Sequence, residues 1–247
     1  MPFASSPRKT TTNTEVEQVH HFKSDKIRNV VLLSHSGAGK TSLAEAILFN
    51  SGAITRLGKT ADGTTTSDHD ADEIKRYISI NLSLLPYQWK DTKINLIDTP
   101  GYPDFVGEVK AGLSVTESAV VVVCAASGVE VGTEQVWEYA SEAKIPCLIF
   151  VNKMDRENAN FLTVLKDIQA KLGSKCLPIQ LPIGSQKDFK GIVDLVSKKG
   201  YGGTTNKEIE VPSALMGDVD SYREKLVEAV VEVDDGLLSR YLEGETI

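Results

Sequence analysis

The chain has 247 residues, of which 41% are hydrophobic, so it can bury a core large enough for one sizeable domain or for a domain with an appendage. Its net charge of −7 argues against a general nucleic-acid binder or a sequence-specific DNA partner, and no uninterrupted apolar stretch has the length of a membrane span. Three widely spaced cysteines, Cys124, Cys147 and Cys176, favour reduced thiols over disulfides or metal ligands, as expected of a cytoplasmic protein.

The first segment of the chain shows no sign of regular structure. Residues 1–24 are rich in Ser and Thr and have little periodicity, which predicts a flexible tail. The pair His20-His21 lies within this tail, and we interpret both histidines as solvated side chains rather than as metal ligands.

A glycine-rich stretch lies between a predicted buried strand over residues 27–33 and a predicted helix over residues 40–49. The stretch consists of Ser34, His35, Ser36, Gly37, Ala38, Gly39, Lys40, Thr41 and Ser42. This order is typical of a phosphate-binding loop, in which backbone N–H groups and the start of a helix attract phosphate oxygens. Lys40 is then expected to reach the terminal phosphates, and the Thr41 hydroxyl to bind Mg²⁺. Ser34 replaces the usual first glycine, and the stretch alone leaves open a simple strand-to-helix turn.

A polar segment over residues 55–73 follows the predicted helix and indicates a mobile loop, because it contains two glycines and a run of threonines. Its acids Asp68, Asp70 and Asp72 alternate, as they do in some cation-binding loops. No following glycine and glutamate complete a calcium-binding pattern, however, and we expect these carboxylates to be solvated.

Strands and helices alternate through the middle of the chain. Apolar residues at every second position over 78–84 predict a half-exposed strand, and a turn near Lys90-Asp91 returns the chain as a strand over 93–97. The elements predicted after this hairpin are helices over 106–118, 132–143 and 161–172 and strands over 119–125 and 145–151. The pattern predicts an α/β P-loop NTPase fold, with a doubly wound, mostly parallel sheet and one antiparallel edge hairpin.

Two polar motifs directly follow predicted strands. Asp98-Thr99-Pro100-Gly101 follows the strand over 93–97, and Asn152-Lys153-Met154-Asp155 follows the strand over 145–151. Open α/β sheets bind ligands at the carboxyl ends of their strands, so we expect both motifs to lie beside the phosphate-binding loop.

The second motif indicates that the bound base is guanine. The Asp155 carboxylate can accept hydrogen bonds from the ring N–H and the exocyclic amine of guanine, whereas adenine lacks this pair of donors. The stem of Lys153 can cover the face of the base, and Asn152 completes the motif. An ordinary polar strand end remains the alternative for the motif taken alone.

Together, these segments resemble the GTP-binding domain of the translational GTPases, most closely those of the elongation factor G type, from about residue 26 onward. The segments that carry the resemblance are His35 to Thr41, Asp98 to Phe105, Asn152 to Arg156, Ala159 to Phe161, Leu181 to Gly184 and Gly191 to Leu195. The resemblance implies a switch that binds GTP or GDP with Mg²⁺, hydrolyses GTP and engages the ribosome. Nothing in the sequence suggests an obligate partner subunit, so we expect a monomer.

The resemblance also implies roles for residues on either side of the hairpin. Arg76-Tyr77-Ile78-Ser79 matches a family segment whose hydroxyl binds Mg²⁺, although Tyr77 replaces a glycine of that segment. Thr41 and Ser79 are expected to bind Mg²⁺ directly and Asp98 through water, with an exposed strand face as the alternative for Ser79. The backbone N–H of Gly101 is expected to contact the γ-phosphate.

The main departure from the family pattern is Tyr102, which stands where a histidine usually orients the attacking water. A tyrosine hydroxyl can orient water but cannot become a cation near the transition state, as an imidazole can. We therefore expect weak intrinsic hydrolysis. The alternative is a nucleotide-gated regulator of the ribosome whose hydrolysis is weak or lost.

The last part of the chain has a different pattern. Short strand-like runs with Pro and Gly begin near Gly173, and a helical pattern covers residues 221–242. We therefore assign residues 25–172 to the GTP-binding domain and residues 173–247 to an inserted α+β subdomain. The family's last nucleotide-binding motif is not found before Ile247, which predicts a fragment with reduced nucleotide affinity.

Overall fold

The computed structural model describes residues 21–203, 207–245 and 247. Most of the predicted tail over residues 1–24, including His20, lies outside these ranges, and the described His21 is exposed. Among the described residues, no helix combines the length and the apolar character needed to cross a membrane.

The larger sheet carries the glycine-rich loop and both polar motifs at the ends of its strands. Its strands are β1 (Ile27–Leu33), β2 (Ser83–Trp89), β3 (Thr92–Asp98), β4 (Ser118–Cys124) and β5 (Cys147–Asn152). Within the described ranges their order is β2-β3-β1-β4-β5; β1, β3, β4 and β5 run parallel, and β2 pairs antiparallel with β3. The predicted α/β class, with a mostly parallel sheet and one antiparallel edge hairpin, is confirmed.

Helices cover both faces of this sheet, as the doubly wound arrangement requires. The helices of the described residues are α1 (Lys40–Asn50), α2 (Ala71–Arg76), α3 (Val106–Ser114), α4 (Val131–Glu142), α5 (Phe161–Lys171), α6 (Met216–Val231) and α7 (Asp235–Leu242). Val31 and Leu33 of β1 belong to the core under α3, α4 and α5, whereas Leu32 points to the opposite face and packs with Leu48 of α1. Successive side chains of β1 therefore pack into the cores on opposite faces of the sheet.

The predicted hairpin is correct in its turn and its second strand, but the start of its first strand is wrong. The first strand begins at Ser83, and Ile80 lies in an irregular segment before it. The backbone N–H of Ile80 donates to the Glu73 carboxylate at 2.9 Å, and the N–H of Leu82 donates to Glu108 at 2.9 Å. Side chains therefore take the backbone donors that strand pairing would have used.

Two predicted helical regions also differ from the observed helices. The helix predicted over residues 106–118 ends at Ser114, because β4 already begins at Ser118. The helix predicted over residues 221–242 is divided into α6 and α7. Asp234 separates them, because its side chain accepts a hydrogen bond from the N–H of Leu237 at 2.9 Å and caps α7.

A second, antiparallel sheet follows α5. Its strands are β6 (Gln180–Ile183), β7 (Gly191–Asp194), β8 (Lys199–Gly202) and β9 (Lys207–Ile209), in that order. Buried Leu181, Val193 and Leu195 pack there with Val219 of α6 and form a separate small core. These elements lie in the region assigned to the inserted subdomain, whose boundary at residues 172 and 173 stays a prediction.

Candidate functional site

The glycine-rich loop joins the end of β1 to the start of α1. Gly37 and Gly39 have φ angles of 77° and 99°, which glycine adopts without strain. A side chain at Gly39 would also meet a neighbour, because an added Cβ would lie 2.6 Å from Asn152 Nδ2. The loop therefore needs glycine at these positions and lies directly against the motif that follows β5.

Lys40 is the first residue of α1, and its side chain is buried at the bottom of the loop, with 7% of the residue exposed. Its ammonium group donates a hydrogen bond to Ser34 Oγ at 2.8 Å. Burial lowers the pKa of Lys40 to about 8, although the nearby Asp98 and Asp68 carboxylates act in the opposite direction. Ser34, which departs from the usual motif, thus holds the lysine in place in this structure.

A cluster of hydroxyl and carboxylate groups lies beside Lys40. Thr41 Oγ1 and Ser67 Oγ both donate to Asp98 Oδ2, at 2.8 and 2.7 Å respectively. Ser79 Oγ donates to Asp68 Oδ1 at 2.7 Å and lies 3.2 Å from Thr41 Oγ1. The structure therefore brings together Thr41, Asp98 and Ser79, the three residues predicted to serve the metal.

The donor atoms of this cluster fit Mg²⁺. Asp98 Oδ1 is buried and has no hydrogen-bond partner among the described residues, and such an atom is costly unless a cation or a polar group meets it. Burial raises the pKa of Asp98, against the effects of Lys40, Ser67 and Thr41. Mg²⁺ prefers oxygen ligands and binds through one or two carboxylates together with substrate phosphates, which suits this set. No group of three or more His, Cys, Asp or Glu suited to a metal occurs in the described ranges.

The acids of the polar loop differ in their surroundings, and the prediction that all three are solvated is wrong for Asp68. Asp68 is only 8% exposed, and burial raises its pKa. Asp70 and Asp72 are exposed, as expected. Asp70 also caps α2, because its side chain accepts the Asp72 N–H at 2.9 Å and Glu73 completes a capping box. The spacing of Asp70 and Glu73 is a helix-start signal that the sequence analysis missed.

Gly101 and Tyr102 follow β3 and lie close to Lys40 and the glycine-rich loop. A Cβ added to Gly101 would lie 2.8 Å from Lys40 Nζ and 2.9 Å from Ser36 Cα, so only glycine fits here without a shift. The Tyr102 side chain, next in the chain, is more open to solvent, and 41% of the residue is exposed. Tyr77 is also exposed, and its φ of 55° matches the glycine that the family pattern carries there.

The motif after β5 contacts the glycine-rich loop through two side chains. Asn152 Nδ2 donates to the carbonyl of Ala38 at 3.0 Å, and Lys153 Nζ donates to the carbonyl of Gly37. The pKa of Lys153 is lower than that of an ordinary lysine, mainly because the side chain is partly buried. Asp155 lies in the turn two residues later and is exposed.

These groups surround a cavity of about 250 Å³. The predicted site residues that line it are Ser36, Gly37, Gly39, Lys40, Thr41, Ser42, Ser79, Gly101, Tyr102 and Lys153. Asp98 lies one hydrogen bond behind this lining, on Thr41. The Asn152 amide donates to the carbonyl of Ala38, and neither of these two residues is part of the lining. His35 points elsewhere, because its Nε2 lies 3.6 Å from Glu130 Oε1, and Asp155 is not part of the lining.

The order of strand, glycine-rich loop and helix, with a buried lysine, a threonine and an aspartate at neighbouring strand ends, defines a P-loop nucleotide-binding domain. The model of the family described as "Elongation factor Tu GTP binding domain" matches residues 25–235. The chain therefore belongs to this family of GTP-binding domains, and the resemblance predicted from the motifs is confirmed.

Individual relatives agree with this assignment. The chain is 44% identical to elongation factor G of Mycoplasma pneumoniae over 225 residues, which cover 89% of the chain and 33% of that protein. A crystal structure of a protein from Thermus thermophilus superposes with a TM-score of 0.85 at 37% identity, over 90% of the chain and 34% of that structure. The chain thus spans about a third of the length of these relatives.

Proposed function

We propose that this chain binds GTP with Mg²⁺ and hydrolyses it to GDP and phosphate, as the nucleotide-binding part of a cytoplasmic, monomeric elongation factor G-type protein that acts on the ribosome. The observation that carries the proposal is the meeting of Lys40, Thr41, Asp98 and Lys153 around one cavity. They come from the ends of three parallel strands, where this type of fold binds its ligand.

The backbone N–H groups from His35 to Thr41 are suited to hold the phosphates, and the Lys40 ammonium to contact the terminal ones. We assign Thr41 and Ser79 as direct ligands of Mg²⁺. Asp98 and Asp68 would accept hydrogen bonds from water molecules bound to the ion. When bound, Mg²⁺ neutralises charge on the phosphate oxygens and orients them.

In the proposed reaction, the oxygen of a water molecule attacks the γ-phosphorus, and the bond from that phosphorus to the bridging oxygen breaks. The products are GDP and inorganic phosphate, and the protons of the water pass to the products or to solvent. The Gly101 N–H is assigned to the γ-phosphate and the Tyr102 hydroxyl to the attacking water. Because such transfers depend mainly on positioning and charge stabilisation, Lys40 is assigned the largest catalytic contribution.

The proposal assigns base selection to the motif after β5. Asp155 accepts two hydrogen bonds from guanine, and Lys153 covers the face of the base. Asn152 supports this end of the site indirectly, because its amide already donates to the carbonyl of Ala38. The exposure of Asp155 leaves its carboxylate accessible to a base that enters from solvent.

A second candidate function is a nucleotide-gated regulator of the ribosome with weak or lost hydrolysis. The observation that favours it is Tyr102, whose phenol lines the cavity at the position where the family pattern described above has a histidine. Binding and switching require the phosphate loop and the metal cluster, and neither depends on Tyr102.

Single-turnover cleavage of GTP, with and without ribosomes, tests hydrolysis and separates the two functions. We expect slow cleavage by the parent and cleavage at least roughly tenfold faster by Tyr102→His, because an imidazole can both orient water and carry charge. Tyr102→Phe is the matched control and should be slower than the parent. If Tyr102→His is no faster than the parent under either condition, the role assigned to Tyr102 is wrong.

A further inference from the structure

Two buried glutamates hold the loop over residues 58–81, which reaches the metal cluster, the group of hydroxyls and carboxylates from Thr41, Ser67, Asp68, Ser79 and Asp98 that we assign to Mg²⁺. Glu45 lies on α1, four residues after Thr41, and is 2% exposed; Glu73 lies on α2 and is 1% exposed. Neither carboxylate forms an ion pair with any residue in the described ranges. A buried carboxylate is costly unless hydrogen bonds replace its water, so the partners of these two groups indicate what they do.

Glu45 binds the first part of the loop through both carboxylate oxygens. Its Oε1 accepts the Gly58 N–H at 3.0 Å, and its Oε2 accepts the Thr66 N–H at 2.9 Å. The Thr66 hydroxyl adds a longer bond to Oε1 at 3.3 Å. The next residue is Ser67, whose hydroxyl donates to Asp98 in the metal cluster.

Glu73 binds the last part of the same loop in the same way. Its Oε1 accepts the Ile80 and Asn81 N–H groups at 2.9 and 3.0 Å, and its Oε2 accepts the Asp70 N–H at 3.1 Å. The residue before Ile80 is Ser79, whose hydroxyl contacts the cluster. At both ends of the loop, therefore, a residue held by a buried glutamate adjoins a serine that reaches the cluster.

We propose that Glu45 and Glu73 are positioning residues, which fix the first and last parts of the loop so that Ser79 can bind Mg²⁺ and Ser67 can hold Asp98. This inference rests on the proposed function, because it assigns the cluster to Mg²⁺ bound with a guanine nucleotide. Neither glutamate touches the cavity, and each acts through backbone N–H groups that its charge binds more strongly than a neutral acceptor would.

Replacement of either glutamate by glutamine removes the charge at constant size. The amide can accept through only one atom and presents an NH₂ group to a backbone donor, so each glutamine loses at least one of the bonds that its glutamate accepts and leaves that donor facing another donor. Glu45→Gln should loosen the hold on Ser67, and Glu73→Gln should loosen the hold on Ser79. The glycine-rich loop and Lys40 keep their own contacts in both variants.

The experiment measures three quantities on the parent and on both variants. The first is the affinity for a fluorescent GTP analogue in EDTA, and the second is the apparent Mg²⁺ affinity of the complex with that analogue, titrated from the EDTA-treated sample. The third is amide hydrogen exchange over residues 58–66 and 80–81 without nucleotide. The control is Asp194→Asn, which changes a carboxylate that accepts the Ser197 N–H at 2.7 Å in the smaller sheet. Its Mg²⁺ affinity and its exchange in these segments should match those of the parent.

We expect each glutamine variant to lose at least about tenfold in Mg²⁺ affinity while nucleotide binding in EDTA stays within about twofold, and to exchange faster in its own segment. Folded variants that keep the parent's Mg²⁺ affinity would overturn the inference and leave the proposed function standing. A parent that binds no guanine nucleotide would instead refute the proposed function. If a glutamine variant fails to fold, Glu45→Asp or Glu73→Asp takes its place, because the charge remains while the reach shortens, and the same outcomes apply.

Discussion

The end of the cavity that we assign to the phosphates, called the phosphate end, and the end that we assign to the base, called the base end, are built differently. At the phosphate end, Lys40, Thr41 and Asp98 are 7%, 8% and 1% exposed, and a direct hydrogen bond connects Thr41 to Asp98. At the base end, Asp155 lies exposed in a turn, and the side chains of Asn152 and Lys153 donate to backbone carbonyls of the glycine-rich loop.

This difference determines how strongly each end depends on its charges. Charges in a buried, preorganised cluster interact more strongly than charges at the surface, where water competes with the ligand. Nucleotide affinity should therefore depend most on the phosphate end, whereas the base end should decide which nucleotide binds. The measurements below test this division of roles.

The largest expected effect is that of Lys40→Ala. Removal of the ammonium deletes charge-assisted hydrogen bonds to two phosphates and leaves Asp98 without its cationic neighbour, so GDP affinity should fall by about 1,000-fold. Calorimetric titration measures the loss, and exposed Lys166→Ala on α5 is the control. An affinity within about tenfold of the parent would mean that the phosphates bind elsewhere.

Asp155→Asn should have a smaller effect on affinity but should change the preferred base. The amide offers one acceptor and one donor, so it loses a guanine N–H bond and gains a partner for the 2-carbonyl of xanthine. We expect about 100-fold weaker GDP binding together with tighter binding of xanthosine diphosphate. Competition between the two nucleotides measures the change in preference. If the preference for guanine is unchanged, Asp155 does not recognise the base.

The pH dependence should give the smallest effect. Phosphate favours charged Lys40, whose pKa in the free protein is lowered to about 8, so GDP affinity is nearly complete at pH 7 and falls as the pH rises through 8. At pH 9 it should be about tenfold weaker, and Lys40→Arg, which stays charged, should flatten the profile.

The unfolding of nucleotide-free protein should show the opposite trend for the same reason. Above pH 8 the unfolded chain binds more protons at Lys40 than the folded chain does, so the free energy of unfolding should rise from pH 8 toward pH 10. Thermal melting across this range checks the sign. A GDP affinity that does not change between pH 7 and pH 9 would contradict the burial of a titrating lysine.

The sequence was sufficient to predict the parts of the site that lie at strand ends. Strand periodicity located β1 and the ends of β3 and β5, and the topology of a parallel sheet then brought Lys40, Asp98 and Lys153 together. These features depend on local pattern and on a general rule of α/β folds, so one sequence is enough to find them. The contact between Asp155 and guanine stays a prediction.

The loop before β2 could not be predicted in the same way. Its alternating residues favour a strand, but Glu73 and Glu108 take the backbone donors, and Asp68 is buried although its surroundings in sequence are polar. These outcomes depend on hydrogen bonds between side chains and backbone groups 7 and 26 positions apart, which the period of a strand or a helix does not record. The capping box of α2 is the exception, since its spacing was visible in the sequence.

The most direct test of the central claim is a pair of calorimetric titrations with GDP and with ADP, both in the presence of Mg²⁺. If the three strand ends form one guanine-nucleotide pocket, GDP should saturate a single site per chain, and ADP should bind at least about 100-fold more weakly. Equal affinities for the two nucleotides, or no saturable binding of GDP, would contradict the account.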